Sequence, residues 1–132
     1  SGCADGELCP CPIHGFNHWI KIGKSCFKYY GHPEPFLQAE DHCKSYEKRA
    51  HLASIHSKTE NHQIYRLISA RNHTYPRTWI GGYRFPGVSS FRWIDGSTWN
   101  YHNWYPGEPN NQCWREYCTE INYKGKCASR AV

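Results

Sequence analysis

Two stretches of the chain place apolar residues at helical spacing. The first follows Pro33-Glu34-Pro35, and a proline just inside the start of a helix is harmless because its missing N–H would be unpaired there anyway. We therefore predict a first amphipathic helix that ends near Lys48. Its apolar face comprises Phe36, Ala39, Cys43 and Tyr46.

A second helix is indicated by the capping-box pattern Ser57-Lys58-Thr59-Glu60. In this pattern the serine oxygen and the glutamate carboxylate each accept a hydrogen bond from a free backbone N–H at the start of the helix. An apolar stripe follows, and the helix is expected to end near Arg71. The stripe comprises Ile64, Leu67 and Ile68.

Short aromatic and β-branched runs, bounded by turn residues, predict the strands. They cover residues 26–30, 79–83, 91–94 and 117–123. Residues 95–116 are mostly turn formers and aromatic residues, which predicts a long loop of the kind that is usually functional in a compact domain. Residues 1–25 predict an irregular segment held by disulfides. The order of elements predicts an α+β domain with two helices packed on small antiparallel sheets.

The composition indicates a single secreted domain. Its 132 residues suffice for one core, and 8 cysteines with no methionine are typical of a disulfide framework formed in an oxidising compartment. There is no apolar stretch of membrane-spanning length, and we expect a signal peptide to have preceded residue 1. Cys3 and Cys9 either pair with each other or link two chains into a dimer. Asn72-His73-Thr74 is an N-glycosylation acceptor, typical of a surface loop.

Charge and motifs exclude other classes of protein. The net charge of +5 comes from dispersed basic residues, which does not favour nucleic acid as a partner but permits association with acidic glycans, mineral or anionic surfaces. Enzymatic activity is not expected, because the chain lacks a His-Glu-x-x-His metal motif, a glycine-rich phosphate loop and a nucleophile elbow.

The segment Trp104–Asn111 contains the clearest candidate chemistry. Glu108 and Asn110 flank a proline there, so a carboxylate and a side-chain amide stand on either side of a rigid residue. Calcium prefers hard oxygen ligands of these kinds, typically about 6–8 of them. Taken alone, the segment favours an ordinary turn, because Pro, Gly and Asn are common turn formers. Trp104 and Tyr105 are more typical of packing against the domain than of stacking on a sugar.

A series of short motifs runs from Cys11 to Tyr123. They are Cys26-Phe27, Ala39-Glu40-x-x-Cys43, His51-Leu52-Ala53-Ser54-Ile55, Trp79-Ile80-Gly81-Gly82, Trp93-Ile94-Asp95-Gly96-Ser97, Asn103-Trp104, Glu108-Pro109-Asn110 and Cys118-Thr119-Glu120-Ile121. In type and order they resemble the C-type lectin-like domain. The resemblance implies this fold over residues 11–132, with a shortened C-terminal segment, and an N-terminal extension over residues 1–10. It also implies that Cys11 pairs with Cys26, as in long-form members.

The resemblance further implies calcium-dependent carbohydrate binding. In the family a Glu-Pro-Asn loop accompanies mannose-type ligands, whereas Gln-Pro-Asp accompanies galactose. Two vicinal sugar hydroxyls coordinate the calcium, and each also bonds a metal ligand: the Asn amide donates and the Glu carboxylate accepts. By position, the implied ligands of both calcium and sugar are Glu108, Asn110 and Glu116, and the implied partners are mannose-type glycans or glycoproteins.

The chain departs from the family pattern near its C-terminus. The family completes its calcium site with Trp-Asn-Asp, whereas here Cys127, Ala128 and Ser129 either replace that segment or follow its deletion. Asn111 and Tyr117 stand where some members carry carboxylates of an auxiliary calcium site. We therefore expect weak calcium binding. The alternative function is that of a C-type-lectin-like protein that binds another protein, ice or a mineral surface.

The same departure leaves the disulfide pattern open. The family joins the cysteine of the first helix to the final strand, and the Cys118 position to a cysteine after Trp-Asn-Asp. Here Cys43 pairs with Cys127 and Cys113 with Cys118, or else Cys113 pairs with Cys127 and Cys43 with Cys118.

Overall fold

The computed structural model describes residue 3 and residues 7–47, 49–104, 106–107, 118–121 and 129–131, the last three by their backbone alone. Within these residues the chain forms two helices, a three-stranded sheet and a four-stranded sheet, both antiparallel. This arrangement confirms the predicted α+β class.

Helix α1 spans Phe36–Lys44 and begins after Pro35, whose extended backbone occupies the N-cap position. It ends at Lys44 rather than near Lys48. The reason lies in Ser45, whose hydroxyl and backbone N–H both donate to the carbonyl of His42, at 2.6 and 3.1 Å. These bonds tighten the last turn and satisfy a carbonyl that a continuing helix would have used.

The apolar face predicted for this helix is only partly buried. Phe36 is buried, whereas Ala39 and Cys43 are half-buried. Tyr46, which we predicted on that face, lies beyond the end of α1 and is 38 % exposed. The second buried residue of α1 is instead the charged Glu40.

Helix α2 spans Lys58–Arg71, as predicted. The Ser57 hydroxyl accepts a hydrogen bond from the Glu60 backbone N–H at 3.1 Å, which is half of the capping box. The other half is shifted by one residue, because the Glu60 carboxylate accepts from the N–H of His56 at 2.9 Å. The predicted stripe is buried and comprises Ile64, Leu67 and Ile68.

The N-terminal region forms a small sheet that the sequence predicted only in part. Strands β1 (Cys9–Pro10), β2 (Ile20–Ile22) and β3 (Ser25–Phe27) form this sheet in that order. Strands β1 and β2 were not predicted, whereas β3 overlaps the strand predicted over residues 26–30 and ends earlier, at Phe27. The β2–β3 hairpin turns at Gly23, whose φ of +59° is readily accessible to glycine. Strands β1 and β2 are too short to show a recognisable alternating pattern in the sequence.

Two disulfides hold this sheet. Cys11 is bonded to Cys26, the pairing that the resemblance implies. Cys3 is bonded to Cys9 within the chain, so in this structure neither thiol links two chains. The boundary that we place between residues 10 and 11 stays a prediction, although Cys9–Pro10 already pairs with β2.

The second sheet has the order β5-β4-β6-β7. Its strands are β4 (Thr78–Tyr83), β5 (Arg92–Trp93), β6 (Cys118–Ile121) and β7 (Ser129–Ala131). The first three lie within or overlap the predicted strands. The last was not predicted, and it pairs with β6 so that Ser129 lies opposite Ile121.

The core lies where α2 meets both sheets. Its buried members are Ile22, Ile55, Ile64, Leu67, Ile68, Ile80, Trp93 and Ile121. Full burial of such a side chain stabilises the fold by about 1.5–3 kcal/mol. In contrast, Trp79 is half-buried at the edge of this core, and its indole N–H donates to the Glu34 carbonyl at 2.8 Å. Among the described residues, no helix combines the length and the apolar character needed to cross a membrane.

Candidate functional site

The segment between the two helices is held by the carboxylate of Glu40, which is only 2 % exposed. The Leu52 backbone N–H donates to Oε1 of Glu40 at 2.9 Å, and Nδ1 of His51 lies 2.7 Å from Oε2. The ammonium of Lys44 lies 3.8 Å from the same Oε2. A buried carboxylate requires such partners to offset its lost hydration, so these contacts fix the segment on α1.

The same segment also contacts the central strand β4. The N–H of Gly81 donates to the carbonyl of Ala53 at 2.8 Å. A Cβ atom at Gly81 would lie 2.7 Å from the carbonyl oxygen of Leu52, a distance that real Cβ atoms do not reach. Only glycine therefore allows β4 to approach this closely, which accounts for the first glycine of the Trp79-Ile80-Gly81-Gly82 motif.

Asp95 ties the start of the long loop to this framework. Its Oδ2 accepts a 2.5 Å hydrogen bond from the Ser54 hydroxyl, and its Oδ1 accepts from the hydroxyl and backbone N–H of Ser97, at 2.5 and 2.9 Å. Partial burial acts to raise the pKa of Asp95, but the hydrogen bonds from Ser54 and Ser97 outweigh it and hold the pKa below its ordinary value. The ionised carboxylate is thus the form that the structure stabilises.

His56 extends this cluster into the loop. Its Nε2 lies 3.0 Å from the hydroxyl oxygens of both Ser54 and Ser97, and its Nδ1 lies 2.8 Å from Oδ1 of Asn100. The cluster contains the residue types of a hydrolytic triad. Both hydroxyls, however, donate to Asp95, so the imidazole does not draw a proton from either of them. The cluster is therefore a tether for residues 95–100.

Four aromatic rings in mutual contact support the long loop, and we call them the loop platform: Phe91, Trp93, Trp99 and Trp104. The centroids of Trp93 and Trp99 lie 4.4 Å apart, and Trp104 lies 5.1 Å from Phe91 and 6.0 Å from Trp99. Each such pair contributes about 0.5–1.5 kcal/mol beyond its buried area. Trp104 therefore packs against the domain, as the sequence favours.

The loop platform fits against the four-stranded sheet because of Gly82. A Cβ atom there would lie 2.6 Å from Oγ1 of Thr119 and 2.9 Å from the Trp99 ring. Thr119 is fully buried, and its hydroxyl donates to the Gly82 carbonyl at 3.0 Å. The second glycine of the motif thus makes room for the platform, and strand β6 is fixed directly beneath it.

The loop leads from this platform to the surface. Pro106 and Gly107 form an exposed turn, and Gly107 has a φ of +89°, which favours glycine. The next residue in the chain is Glu108. The predicted ligands Glu108, Asn110 and Glu116 all lie outside the described residues, as does Tyr105.

The residues predicted to bind calcium have the oxygen donors that this ion prefers, two carboxylates and one side-chain amide. The part of the chain that the structure describes contains no other cluster of three or more His, Cys, Asp or Glu residues fit for a metal ion. The buried acidic residue of β6, Glu120, faces Arg77 at 3.6 Å.

Of the four cysteines outside the N-terminal disulfides, the structure describes two, Cys43 and Cys118. Burial raises the pKa of the Cys43 thiol to about 11, with a smaller effect from the nearby Glu40 charge, and burial alone raises the pKa of Cys118 to about 11. Neither carries a disulfide within the described residues, so the alternative that joins Cys43 to Cys118 is not present. Cys113 and Cys127 lie outside the described residues.

Asn72 follows the last turn of α2 as its C-cap. Its Oδ1 accepts hydrogen bonds from the backbone N–H and the hydroxyl of Thr74, at 3.0 and 2.6 Å. The Thr74 side chain is exposed, whereas Asn72 is half-buried. The predicted glycosylation acceptor thus stands at the surface, where the helix ends.

Sequence reasoning did not predict the tether around Asp95. The motif from Trp93 to Ser97 contains Asp95 but gives no sign of its partner, which lies 41 residues away at Ser54. The sequence did contain one signal for this tether. Ser54 and His56 are polar residues on either side of the buried Ile55, and this alternation places their side chains on the same face of the segment.

The fold and these motifs are those of a C-type-lectin-like domain. The family model described as Lectin C-type domain matches residues 32–131, well over half of the chain. The chain therefore belongs to the C-type lectin domain family, whose members are binding domains rather than enzymes.

Individual relatives support this assignment. The chain is 38 % identical over 105 residues to a Pleurodeles waltl protein named Lectin, covering 80 % of the chain but only 61 % of that protein. It is 36 % identical over 114 residues to the galactose-specific lectin nattectin of Thalassophryne nattereri, covering 86 % of the chain and 70 % of nattectin. The chain thus spans less than two thirds of the first relative.

A solved structure shares the fold. The herring type II antifreeze protein superposes with a TM-score of 0.77, covering 92 % of this chain and 88 % of that one. The sequence identity is 24 %, so the likeness concerns the fold alone. The predicted C-type lectin-like fold is confirmed.

Proposed function

We propose that this domain binds mannose-type glycans in a calcium-dependent manner through the loop that contains Glu108 and Asn110. Family membership supports carbohydrate binding in general. The Glu-Pro-Asn order of the loop supports the mannose type, as the resemblance implies. Calcium, the mannose-type ligand and the individual residues are parts of the proposal.

The chemistry requires oxygen ligands on one side of the ion and a vicinal diol on the other. Glu108, Asn110 and Glu116 would supply carboxylate and amide oxygens to the ion. A bound calcium would fix two adjacent sugar hydroxyls by coordination. The Asn110 amide would then donate a hydrogen bond to one hydroxyl, and the Glu108 carboxylate would accept one from the other.

The observation that carries this proposal is the loop platform. Trp104 is held among Phe91 and Trp99, and the exposed turn Pro106–Gly107 follows at once. The described chain therefore leads from a packed aromatic base to an exposed turn just before Glu108, which would limit the loop entropy that ligand binding must overcome.

The test is affinity chromatography of the purified chain on mannose-agarose. With calcium present we expect retention, and we expect elution when EDTA is added. A protein that passes straight through in calcium contradicts the proposal. Calorimetric titration with calcium adds a matched pair: wild type should bind the ion, whereas Glu108→Ala should bind it at least about tenfold more weakly because a charged ligand is lost.

Galactose is the competing sugar, because nattectin is named as specific for it. The double substitution Glu108→Gln with Asn110→Asp reverses the positions of carboxylate and amide while leaving one of each. We expect it to move retention from mannose-agarose to galactose-agarose. If wild type is retained on galactose-agarose and not on mannose-agarose, the mannose preference is wrong. The proposal of calcium-dependent sugar binding would still hold.

A second candidate function is binding of a protein, ice or a mineral surface without a sugar. It is favoured by the sequence of the C-terminal segment. Cys127, Ala128 and Ser129 either replace the family's Trp-Asn-Asp or follow its deletion, and in both cases two strong calcium ligands are missing. Under this alternative the protein would pass both sugar columns, and Glu108→Ala would not change calcium binding.

We also propose that the protein is secreted and glycosylated. The disulfides Cys3–Cys9 and Cys11–Cys26 support an oxidising compartment. Secretion by a eukaryotic host, followed by intact-mass measurement, tests both statements at once.

A further inference from the structure

A cleft of about 320 Å³ lies between the N-terminal sheet and the end of α2. It is built from β2, β3 and the last turns of the helix, and none of its lining residues belongs to the long loop. The lining residues are His18, Ile20, Phe27, Lys28, Tyr29, Leu67 and Arg71. The volume falls at the lower end of the range for small-ligand sites, about 300–1,000 Å³.

The cleft combines an apolar wall with a basic rim. Its wall is formed by Ile20, Phe27, Tyr29 and Leu67, which are all half-buried or buried. Its rim carries His18, Lys28 and Arg71, all exposed, and none of the lining residues is acidic. A ligand that suits this cleft therefore has a compact body with apolar faces and bears negative charge at its edge.

Lys28 connects the cleft to exposed aromatic rings outside it. Its ammonium lies 5.4 Å from the centroid of Tyr30 and 5.8 Å from that of Tyr46. These rings are 39 % and 38 % exposed, and Trp19 packs edge-on against Tyr46 at 5.8 Å. The cations and the aromatic faces therefore form one continuous surface, longer than the cleft itself.

We propose that this surface binds a short segment of a sulfated oligosaccharide. Pyranose rings have C–H faces that pack on aromatic rings, and Lys and Arg pair strongly with anionic oxygens such as those of sulfate. The dispersed positive charge of the whole chain, +5, would add long-range attraction to such a polyanion. A nucleic acid offers similar charge, but the cleft is too small for a duplex and too poor in cations to follow a phosphate backbone.

This proposal does not depend on the calcium site of the proposed function. The cleft residues lie in α2, in β2 and β3 and in the chain directly next to these strands, whereas the proposed calcium ligands follow Gly107. Binding in EDTA therefore tests the cleft alone. Failure of the mannose-agarose experiment would leave the cleft proposal unaffected. Failure of the cleft experiment would likewise leave the mannose proposal unaffected.

The experiment is calorimetric titration of the full chain with a heparin-derived tetrasaccharide in EDTA and 0.1 M salt. The matched probe is the same tetrasaccharide after desulfation and N-acetylation. We expect the sulfated probe to bind and the desulfated one to bind at least about tenfold more weakly, because the charge-assisted hydrogen bonds are lost. No binding of the sulfated probe overturns the proposal.

Substitutions test whether binding depends on the cleft residues or only on the positive charge of the whole chain. The pair Lys28→Gln with Arg71→Gln should weaken binding by about tenfold or more. The control pair, Lys58→Gln with Arg92→Gln, removes equal charge from exposed positions that do not line the cleft, and it should change affinity less than about twofold. Equal effects of the two pairs overturn the proposal, as does equal affinity for a single-stranded oligonucleotide of matched charge.

Amide hydrogen exchange provides a readout that does not depend on variants. The bound tetrasaccharide should protect backbone amides of β2, β3 and the last turn of α2. Protection confined to other elements, with the cleft unchanged, contradicts the assignment.

Discussion

The backbone N–H of Leu52 donates a 2.9 Å hydrogen bond to Oε1 of Glu40, which stands 12 residues earlier in α1. The acceptor is almost fully buried, and its second oxygen lies 2.7 Å from the ring nitrogen of His51. One carboxylate therefore sets the path of the chain between the two helices. Since this path passes beside β4 and continues to Ser54, the loop attached through Asp95 depends on it as well.

Replacing Glu40 should therefore destabilise the whole domain. We expect Glu40→Ala to lower the free energy of unfolding by about 2–3 kcal/mol, because the Leu52 N–H and His51 would be left without their acceptor in a buried site. Glu40→Gln should cost less, since its amide oxygen can still accept from Leu52. Urea denaturation at neutral pH, followed by tryptophan fluorescence, measures both.

The matched control is Glu47→Ala, which removes an equal charge from an exposed position after α1. It should change the free energy of unfolding by less than about 0.5 kcal/mol. Equal effects of Glu40→Ala and Glu47→Ala would show that the buried carboxylate does not organise the segment.

Asp95 should make stability depend on pH in the acid range. Its pKa in the folded protein is lowered, so the ionised carboxylate stabilises the fold at pH values above its unfolded pKa of about 3.9. That stabilisation is lost as the pH falls through the folded value. We expect Asp95→Asn to destabilise the protein by about 1 kcal/mol at pH 7, a small figure because solvent screens this exposed group.

Melting temperatures at pH 7 and pH 3 test this prediction. The difference between wild type and Asp95→Asn should be clear at pH 7 and should shrink at pH 3. Asp41→Asn, on the exposed side of α1, controls for the loss of one charge. A difference in melting temperature between wild type and Asp95→Asn that grows on acidification would contradict this prediction.

The sequence predicted best the elements whose local pattern agrees with their tertiary role. Helix α2 has a serine cap and a continuous apolar stripe, and it begins and ends where predicted. Strand β4 has aromatic and aliphatic residues before Gly81 and Gly82, and the structure shows why these positions require glycine. In both cases a short stretch is enough to place the element, although the neighbours that require glycine in β4 lie elsewhere in the chain.

The elements that were missed depend on distant partners. Strands β1 and β2 are two and three residues long, and their cross-strand pairing cannot be inferred from so few side chains, although the resemblance implied the Cys11–Cys26 disulfide beside them. Strand β7 is short in the same way and is defined by its pairing with β6. The candidate calcium loop could be identified only from a resemblance, because no periodic pattern specifies the geometry of a loop.

Disulfide mapping should reveal two pairs and exclude a third. After trapping with an alkylating reagent and digestion without reduction, we expect peptides joined through Cys11–Cys26 and through Cys3–Cys9. We expect no peptide that joins Cys43 to Cys118, because neither is bonded to the other. Recovery of that third pair would overturn this part of the structure.

The reactivity of Cys43 and Cys118 adds a second readout where they remain as thiols. With a pKa of about 11, each is ionised to only about one part in a thousand at pH 8. Alkylation in the folded protein should therefore be far slower than in urea, where burial no longer raises the pKa. Equal rates in the two conditions would contradict burial of these thiols.

Glycosylation of Asn72 can be tested by substituting Thr74, whose hydroxyl contacts Asn72. This leaves Asn72 itself, the C-cap of α2, unchanged. The Thr74 hydroxyl donates to Oδ1 of Asn72 at 2.6 Å, and Thr74→Ser keeps this donor whereas Thr74→Ala removes it. We expect protein secreted from eukaryotic cells to lose mass on treatment with a peptide N-glycosidase in wild type and Thr74→Ser, and not in Thr74→Ala. Because Thr74 is exposed, all three proteins should fold equally well, so a difference in glycan mass reports on modification alone. A wild-type mass equal to that of the bare polypeptide would show that the acceptor is not used, and glycan retained in Thr74→Ala would place it at another residue.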